Sequence, residues 1–384
     1  MTKLSRILTI ADMRKAAQRA MPKVVFDYID GAVEDELGKA RNTEALDAVP
    51  MTPNYLVDIQ ARSHRTSLFG REYAQPFGIA PTGMSNIAWP SADVCLARAA
   101  KDADIPYILS TAATTSIEDI GKATDGDFWF QLYAQTDRES NLDLMRRAQE
   151  AGAKALVLTV DVPFPSKRER DLRNGFILPM RMTPKMLLDG ARKPAWALRF
   201  LLNPTPRFAT IEQYAGKNAS ARSLAAFMAA RLWQSLTWED LEWIRGAFDG
   251  PFILKGIMSV NDANKAKEAG VDGLIISNHG GRQLDSALAP IDALPAIRDA
   301  VGTDMTLILD SGIRRGSHIA KALVQGADFA LVGRATLYGA GVAGQPGVDR
   351  SLDILTDELD RFLAQVGCPD VKMLKDCGVL TPAA

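Results

Sequence analysis

The chain has 384 residues, 47% apolar and 24% charged, which is enough for a large buried core and unlike a disordered segment. Lys and Arg number 45 against 46 Asp and Glu, so a net charge of −1 offers nucleic acid no overall attraction. Three cysteines (Cys95, Cys368, Cys377) without a C-x-x-C pair, and three histidines (His64, His279, His318), argue against a disulfide scaffold, a cysteine zinc site and a histidine-rich metal centre.

In chain order, residues 1–76 read as a helical N-terminal extension, with a Thr9-x-x-Asp12 capping pattern and a restart at Pro22 before VVFDYIDGAVEDE. Asp12, Arg14 and Lys15 interrupt any secretory apolar core, and no run of about 18 apolar residues could span a membrane. A cytoplasmic, reducing compartment is the expectation. Eight short apolar runs follow: Phe77–Pro81, Tyr107–Ser110, Trp129–Tyr133, Ala155–Asp161, Phe252–Gly256, Gly273–His279, Thr306–Gly312 and Phe329–Arg334. Unbroken Ile/Leu/Val runs suit parallel strands buried on both faces. The stretches between them are helical in pattern, for example Ser91–Ala103, and Asn261–Ala269 with Ser259 or Asn261 as cap and Gly270 as stop. Eight βα units predict an α/β protein built as a closed (β/α)₈ TIM barrel, with residues 1–384 forming a single domain. An insertion from about residue 165 to 236 follows the fourth strand and is far longer than an ordinary βα connection, which marks it as a lid or docking element.

In such a barrel, residues just past each strand converge on one face. Here they are Pro81, Thr82 and Gly83; Ser110; Gln131 with Tyr133; Thr159 with Asp161; Lys255; Ser277 with His279; Asp310, Gly312 and Arg314; and Gly333 with Arg334. Strand ends that merely meet water would explain part of this ring, but not a Lys, a His and several Arg and Asp together. Gly312/Arg314 and Gly333/Arg334 follow the seventh and eighth strands, where barrels often hold phosphate. No G-x-G-x-x-G follows a strand and no P-loop occurs, so the phosphate belongs to a mononucleotide cofactor or a phosphorylated substrate. In SNHGGRQLD, His279 is suited to take a proton and Arg282 to clamp a carboxylate. Asp161 can stabilise the resulting imidazolium. Arg168 is a second clamp, set against a plain reading of KRERD as a solvated charge cluster; His64 and His318 read as structural or surface residues. Residues 176–208 hold six Lys/Arg against one Asp among Met, Leu, Trp and Phe, the composition either of a segment lying on an anionic membrane or of a lid packed on its own barrel or a neighbouring subunit.

The combination of PKVVFDYIDGAVEDE, IAPTG, LST, FQLY, LTVD, RERD, LKGI, SNHGGRQLD, DSGIRRG and GADFALVGRATLYG resembles the FMN-dependent (S)-2-hydroxy-acid oxidase and dehydrogenase family over nearly the whole chain. GDFWFQLY, RERDLRN and the GCPD near the C-terminus are most similar to its membrane-associated branch of mandelate and L-lactate dehydrogenases. The resemblance implies FMN as cofactor and oxidation of a 2-hydroxy acid of the lactate or mandelate class to the 2-keto acid. Electrons would pass to a quinone-type acceptor, in a homotetramer held peripherally on the inner face of the cell membrane. It implies His279 as base with Asp161 as its partner, and Arg168, Arg282, Tyr28 and Tyr133 around the substrate. Lys255 would sit beside the flavin's pyrimidine edge. Pro81, Thr82, Gly83, Ser110, Gln131, Thr159 and Ser277 would line the flavin, Asp310 the ribityl chain, and Gly312, Arg314, Gly333 and Arg334 the phosphate.

Four residues depart from the usual pattern or lean within it. His318 stands where an acid is usual, which puts a helix-start contact in doubt, and Gly175 stands where Arg is common. Ala112 is small where oxidases often carry an aromatic, and Gly83 leans towards a dehydrogenase. Competing readings are an oxidase that uses O₂ and makes H₂O₂, an FMN-dependent isomerase on the same barrel, and a retired scaffold; the last would have lost one of His279, Lys255 or Arg282, and none is missing.

Overall fold

The computed structural model describes residues 4–176, 184–203, 207–215 and 234–375. The basic segment 176–208 and the insertion therefore fall partly outside the described residues.

Three helices lead in: α1 (Ile10–Ala20), α2 (Lys23–Asp30) and α3 (Leu37–Ala48). Thr9 caps α1, its side chain accepting the N–H of Asp12, and Pro22 begins α2. The extension is not helical throughout. An antiparallel hairpin, β1 (Thr66–Leu68) and β2 (Arg71–Tyr73), turns at Phe69 and Gly70, both with positive φ. Eight strands follow: β3 (Phe77–Ile79), β4 (Ile108–Ser110), β5 (Trp129–Leu132), β6 (Leu156–Thr159), β7 (Phe252–Ile257), β8 (Gly273–Ile276), β9 (Thr306–Leu309) and β10 (Phe329–Val332). All pair in parallel in the order β3-β10-β9-β8-β7-β6-β5-β4, and the Ile79–Tyr107 bridge brings β3 back to β4. This is the expected (β/α)₈ barrel. Most strands stop two or three residues short of the apolar runs, because the chain there turns to present polar side chains.

Around the barrel lie α4 (Ala92–Asp102), α5 (Ile117–Thr124) and α6 (Arg138–Glu150). The insertion contributes α7 (Glu169–Arg173), α8 (Pro184–Ala191) and α9 (Pro194–Leu202). Then come α10 (Leu241–Gly246), α11 (Val260–Glu268), α12 (Pro290–Val301), α13 (Gly316–Val324), α14 (Arg334–Ala343) and α15 (Gln345–Val366). Of the two proposed caps of α11, Ser259 makes the bond, accepting the N–H of Asp262.

Strand alternation sorts the core into two layers. Leu109, Phe130, Leu158, Leu254, Ile276, Leu309 and Val332 pack outward against the helices. Ile108, Trp129, Val157, Ile253, Ile275, Ile308 and Leu331 form a separate cluster filling the barrel, together with Leu68 and Tyr73 of the hairpin. Phe69 lies edge-on to Trp129 at 5.7 Å and Tyr73 against Phe329 at 5.9 Å. The hairpin thus plugs the N-terminal end of the barrel.

Candidate active site

The inward series carries the site. Two residues beyond each inward apolar side chain, the same alternation brings a polar residue or glycine to the C-terminal mouth. Ile108 is followed by Ser110, Trp129 by Gln131 and Val157 by Thr159; Ile253 is followed by Lys255, Ile275 by Ser277, Ile308 by Asp310 and Leu331 by Gly333. A cavity of about 280 Å³ opens there. Its wall includes Tyr28, Pro81, Thr82, Gly83, Tyr133, Thr159, Arg168, Lys255, His279, Arg282, Asp310, Gly312, Arg314, Gly333 and Arg334.

His279 is held at both ring nitrogens. Nδ1 lies 2.9 Å from Asp161 Oδ1, and Nε2 lies 3.4 Å from the Tyr133 hydroxyl. Asp161 can come this close because β7 bulges at Gly256, whose φ is +106°; a Cβ there would stand 2.5 Å from the Asp161 Cβ. Burial lowers the His279 pKa, against the opposing pull of Asp161, while Lys255 and Arg168 push it down further. The imidazole is therefore neutral near pH 7 and able to accept a proton. Burial disfavours the Asp161 carboxylate, but His279 and Lys255 outweigh it and hold its pKa below the ordinary value.

Lys255 is buried, 3.0 Å from Asp310 Oδ2, and donates to Ser277 Oγ at 2.7 Å. Burial opposes its charge, yet Asp310 and Asp161 hold its pKa above the usual value. Ser277 also accepts the N–H of His279 at 3.0 Å, so it stands behind the cavity wall and orients both groups. Ser110 and Gln131 are buried beside it, the serine hydroxyl donating to Gln131 Oε1 at 2.8 Å.

The RERD segment separates residue by residue. Arg168 reaches the cavity, and its Nε is buried without a partner. Arg170 turns away to Asp30 at 3.0 Å and to Glu36 at 2.5 Å, Asp171 is buried, and of the charged residues in the run the flanking Lys167 and Arg173 are the exposed ones. A solvated cluster does not describe it. Arg282 Nη1 donates to the carbonyls of Tyr28 and Gly31, both at 2.8 Å. Burial, then Arg168, pushes its pKa down to about 9. Arg334 donates to the carbonyls of Ile29, Gly31 and Gly280, and burial brings it down to about 10.

The cavity suits a flavin mononucleotide. The Gln131 Nε2 and Thr159 Oγ1 atoms are buried with no protein partner, as groups facing a polar ring edge would be. At the other end a Cβ on Gly333 would meet nothing closer than 3.9 Å, leaving a bare backbone cradle beside Arg314 and the N-terminus of α14.

Some wall residues carry no signal in the sequence. Val162, Gln283 and Ser311 also line the cavity. Ser311 sits at φ +75° in the DSG run, and its hydroxyl accepts the Gly280 N–H at 2.9 Å, a contact between two loops that spacing alone does not reveal. His64 is structural, bonded to Gln75 at 3.0 Å. His318 is not a surface residue: it is buried, and it makes the helix-start contact placed in doubt, accepting the Arg314 N–H at 3.3 Å.

A family model described as FMN-dependent dehydrogenase matches residues 17–380. The chain is 41% identical to (S)-mandelate dehydrogenase of Pseudomonas putida over 96% of its own length and 92% of that protein. It is 37% identical to L-lactate dehydrogenase of Caulobacter vibrioides, over 96% and 97% of the two chains. The crystal structure of the monotopic membrane protein (S)-mandelate dehydrogenase superimposes with a TM-score of 0.94 at 40% identity, covering 98% of this chain and all of that one. No helix among the described residues is long and apolar enough to cross a membrane. With its eight-stranded barrel and a match along nearly its whole length, the chain belongs to the FMN-dependent dehydrogenase family.

Proposed function

We propose that this chain, acting as one FMN-binding unit, oxidises an (S)-2-hydroxy acid of the lactate or mandelate class to the 2-keto acid and delivers the electrons to a quinone-type acceptor. The observation carrying this reading is an imbalance of charge. Two partly buried guanidiniums, Arg168 and Arg282, share the wall beside His279, the charge of Arg168 helps push the Arg282 pKa down, and a substrate carboxylate supplies the missing anion. FMN, when bound, supplies the two-electron acceptor that side chains cannot provide. Gln131, Thr159 and Lys255 would hold its ring, Asp310 its ribityl chain, and Gly312, Arg314 and Gly333 its phosphate. Arg334, with one donor on each of its three nitrogens given to a backbone carbonyl, would add positive charge beside the phosphate. His279 Nε2 takes the substrate proton, and Asp161 offsets the imidazolium charge at Nδ1. Tyr28 and Tyr133 fix the orientation of the substrate. Ala112, small at the cavity wall, suits a substrate side chain larger than methyl.

The test is anaerobic bleaching of the bound flavin by a panel of (S)-hydroxy acids, followed by reoxidation with a quinone or with oxygen. Bleaching by lactate or mandelate, and faster recovery with the quinone, is the expected result. No bleaching by any hydroxy acid would remove the reading, and faster recovery with oxygen would make the enzyme an oxidase.

The insertion supports a peripheral seat on an anionic membrane face. On α9, Trp196 donates to the Ile87 carbonyl and Arg199 lies 3.9 Å over Trp89, which docks one side on the barrel. Leu187, Leu188, Leu198, Leu201 and Leu202 face outward beside the exposed Arg192. Full-length protein is expected to sediment with anionic vesicles and a form lacking 176–208 to remain in solution; equal sedimentation would exclude this seat. Assembly as a homotetramer belongs to the same reading, and a monomer mass in solution would exclude it.

A further inference from the structure

The loop assigned above to the cofactor phosphate is tied to the N-terminal extension through one buried titratable side chain. His318, 1% exposed, lies in the first turn of α13. Its Nδ1 faces the backbone N–H of Arg314 at 3.3 Å, and its Nε2 faces Asp47 Oδ1, in the last turn of α3, at 2.8 Å. A backbone N–H can only donate and a carboxylate can only accept, so the two partners fix one form: neutral, with the proton on Nε2. The same helix meets the same loop directly at Gly312. The glycine has φ +90°, and a Cβ on it would stand 2.6 Å from the Asn42 carbonyl oxygen. The loop's shape and the seating of α3 are therefore one problem, and His318 bridges them.

Adding a proton to Nδ1 sets two donors against each other in a buried place. The groups around the imidazole are Asp47 from α3, Arg314 from the loop, and Lys321 of its own helix, which donates to the carbonyls of Leu46 and Asp47. From α15, Glu358 is engaged by Arg315 and the Gly316 N–H at the same helix start. Asp47 would neutralise most of the new charge, so the gain in positive field at a phosphate is small. The Arg314 N–H then loses the acceptor it has here.

We propose that His318 is a positioning residue for the cofactor phosphate: neutral, it holds the 312–314 loop in its binding shape, and protonated, it loosens that loop, so FMN is held less tightly as pH falls. This rests on the assignment of the phosphate to that loop. Burial first, then Lys321 and Arg314, lowers the His318 pKa from the ordinary 6.5, against Asp47, so the loosening sets in on the acid side of that value.

The test titrates apoprotein with FMN, and separately with riboflavin, following flavin fluorescence at about pH 7.5 and about pH 5.5. His318→Asn keeps an acceptor for the Arg314 N–H but cannot be protonated. The FMN phosphate itself titrates near pH 6, and comparison with this variant removes that contribution. Wild-type protein is expected to lose several-fold more FMN affinity on acidification than His318→Asn, the loss at about pH 5.5 being capped near tenfold by a pKa below 6.5. Riboflavin, which has no phosphate, is expected to show no difference between the two proteins, and this also reports that the barrel is intact. His318→Leu is expected to bind FMN weakly at both pH values. Identical pH dependence in wild type and His318→Asn, or tighter FMN binding in acid, would overturn the proposal. Separately, an Arg314→Ala protein that kept its preference for FMN over riboflavin would overturn the phosphate assignment beneath it.

Discussion

His279 occupies left-handed backbone space, φ +58°, followed by Gly280 and Gly281 at +66° and +73°. A non-glycine residue there costs of order 1 kcal/mol or more and persists only where its neighbours impose it. Ser277 accepts the His279 N–H and Ser311 the Gly280 N–H, so the strain serves to aim the imidazole into the cavity. His279→Asn is expected to keep bound FMN, seen as unchanged visible absorbance, while anaerobic bleaching slows by ~10²-fold at least, the scale of a lost general base. The pH profile of bleaching has a defined sign. Because the His279 pKa is depressed from 6.5, the neutral base persists on the acid side of that value, and the rate should fall only once pH drops through the lowered pKa. An acid limb centred above 6.5 in stopped-flow bleaching would contradict the local electrostatics.

The elements that carry the clamp are fastened by a buried carboxylate. Asp30 ends α2, is fully buried, and receives Arg14 of α1 at 2.5 Å, Tyr338 of α14 at 2.8 Å, Arg170 of α7 at 3.0 Å and Lys39 of α3 at 3.2 Å. Burial alone would raise its pKa, but Arg14, Lys39 and Tyr338 hold it far below the ordinary 3.8. Its stabilising contribution is therefore present above that value and is lost only in strong acid. Asp30→Asn is expected to lower the unfolding free energy by about 3 kcal/mol, read by thermal or denaturant melting, because four donors lose their common anion. The hub was not legible in the sequence. Its partners lie 9 to 308 residues away along the chain, and nothing in DYIDG distinguishes this aspartate from Asp27.

At the scale of the whole molecule, the barrel was readable because burial on both faces leaves uninterrupted apolar runs. The ring of site residues was readable because parallel strands all end at the same face. The hairpin was not: Thr66–Leu68 and Arg71–Tyr73 are three residues each, too short for a periodic pattern to stand out from the helical stretch before them. That hairpin has a kinetic consequence. By stoppering the floor of the barrel it leaves the cofactor site, among the described residues, open at the C-terminal mouth, where reductant and oxidant would take turns. A keto acid still inside would bar the incoming acceptor, and initial velocities plotted in double-reciprocal form should give parallel lines; intersecting lines would mean a second way in.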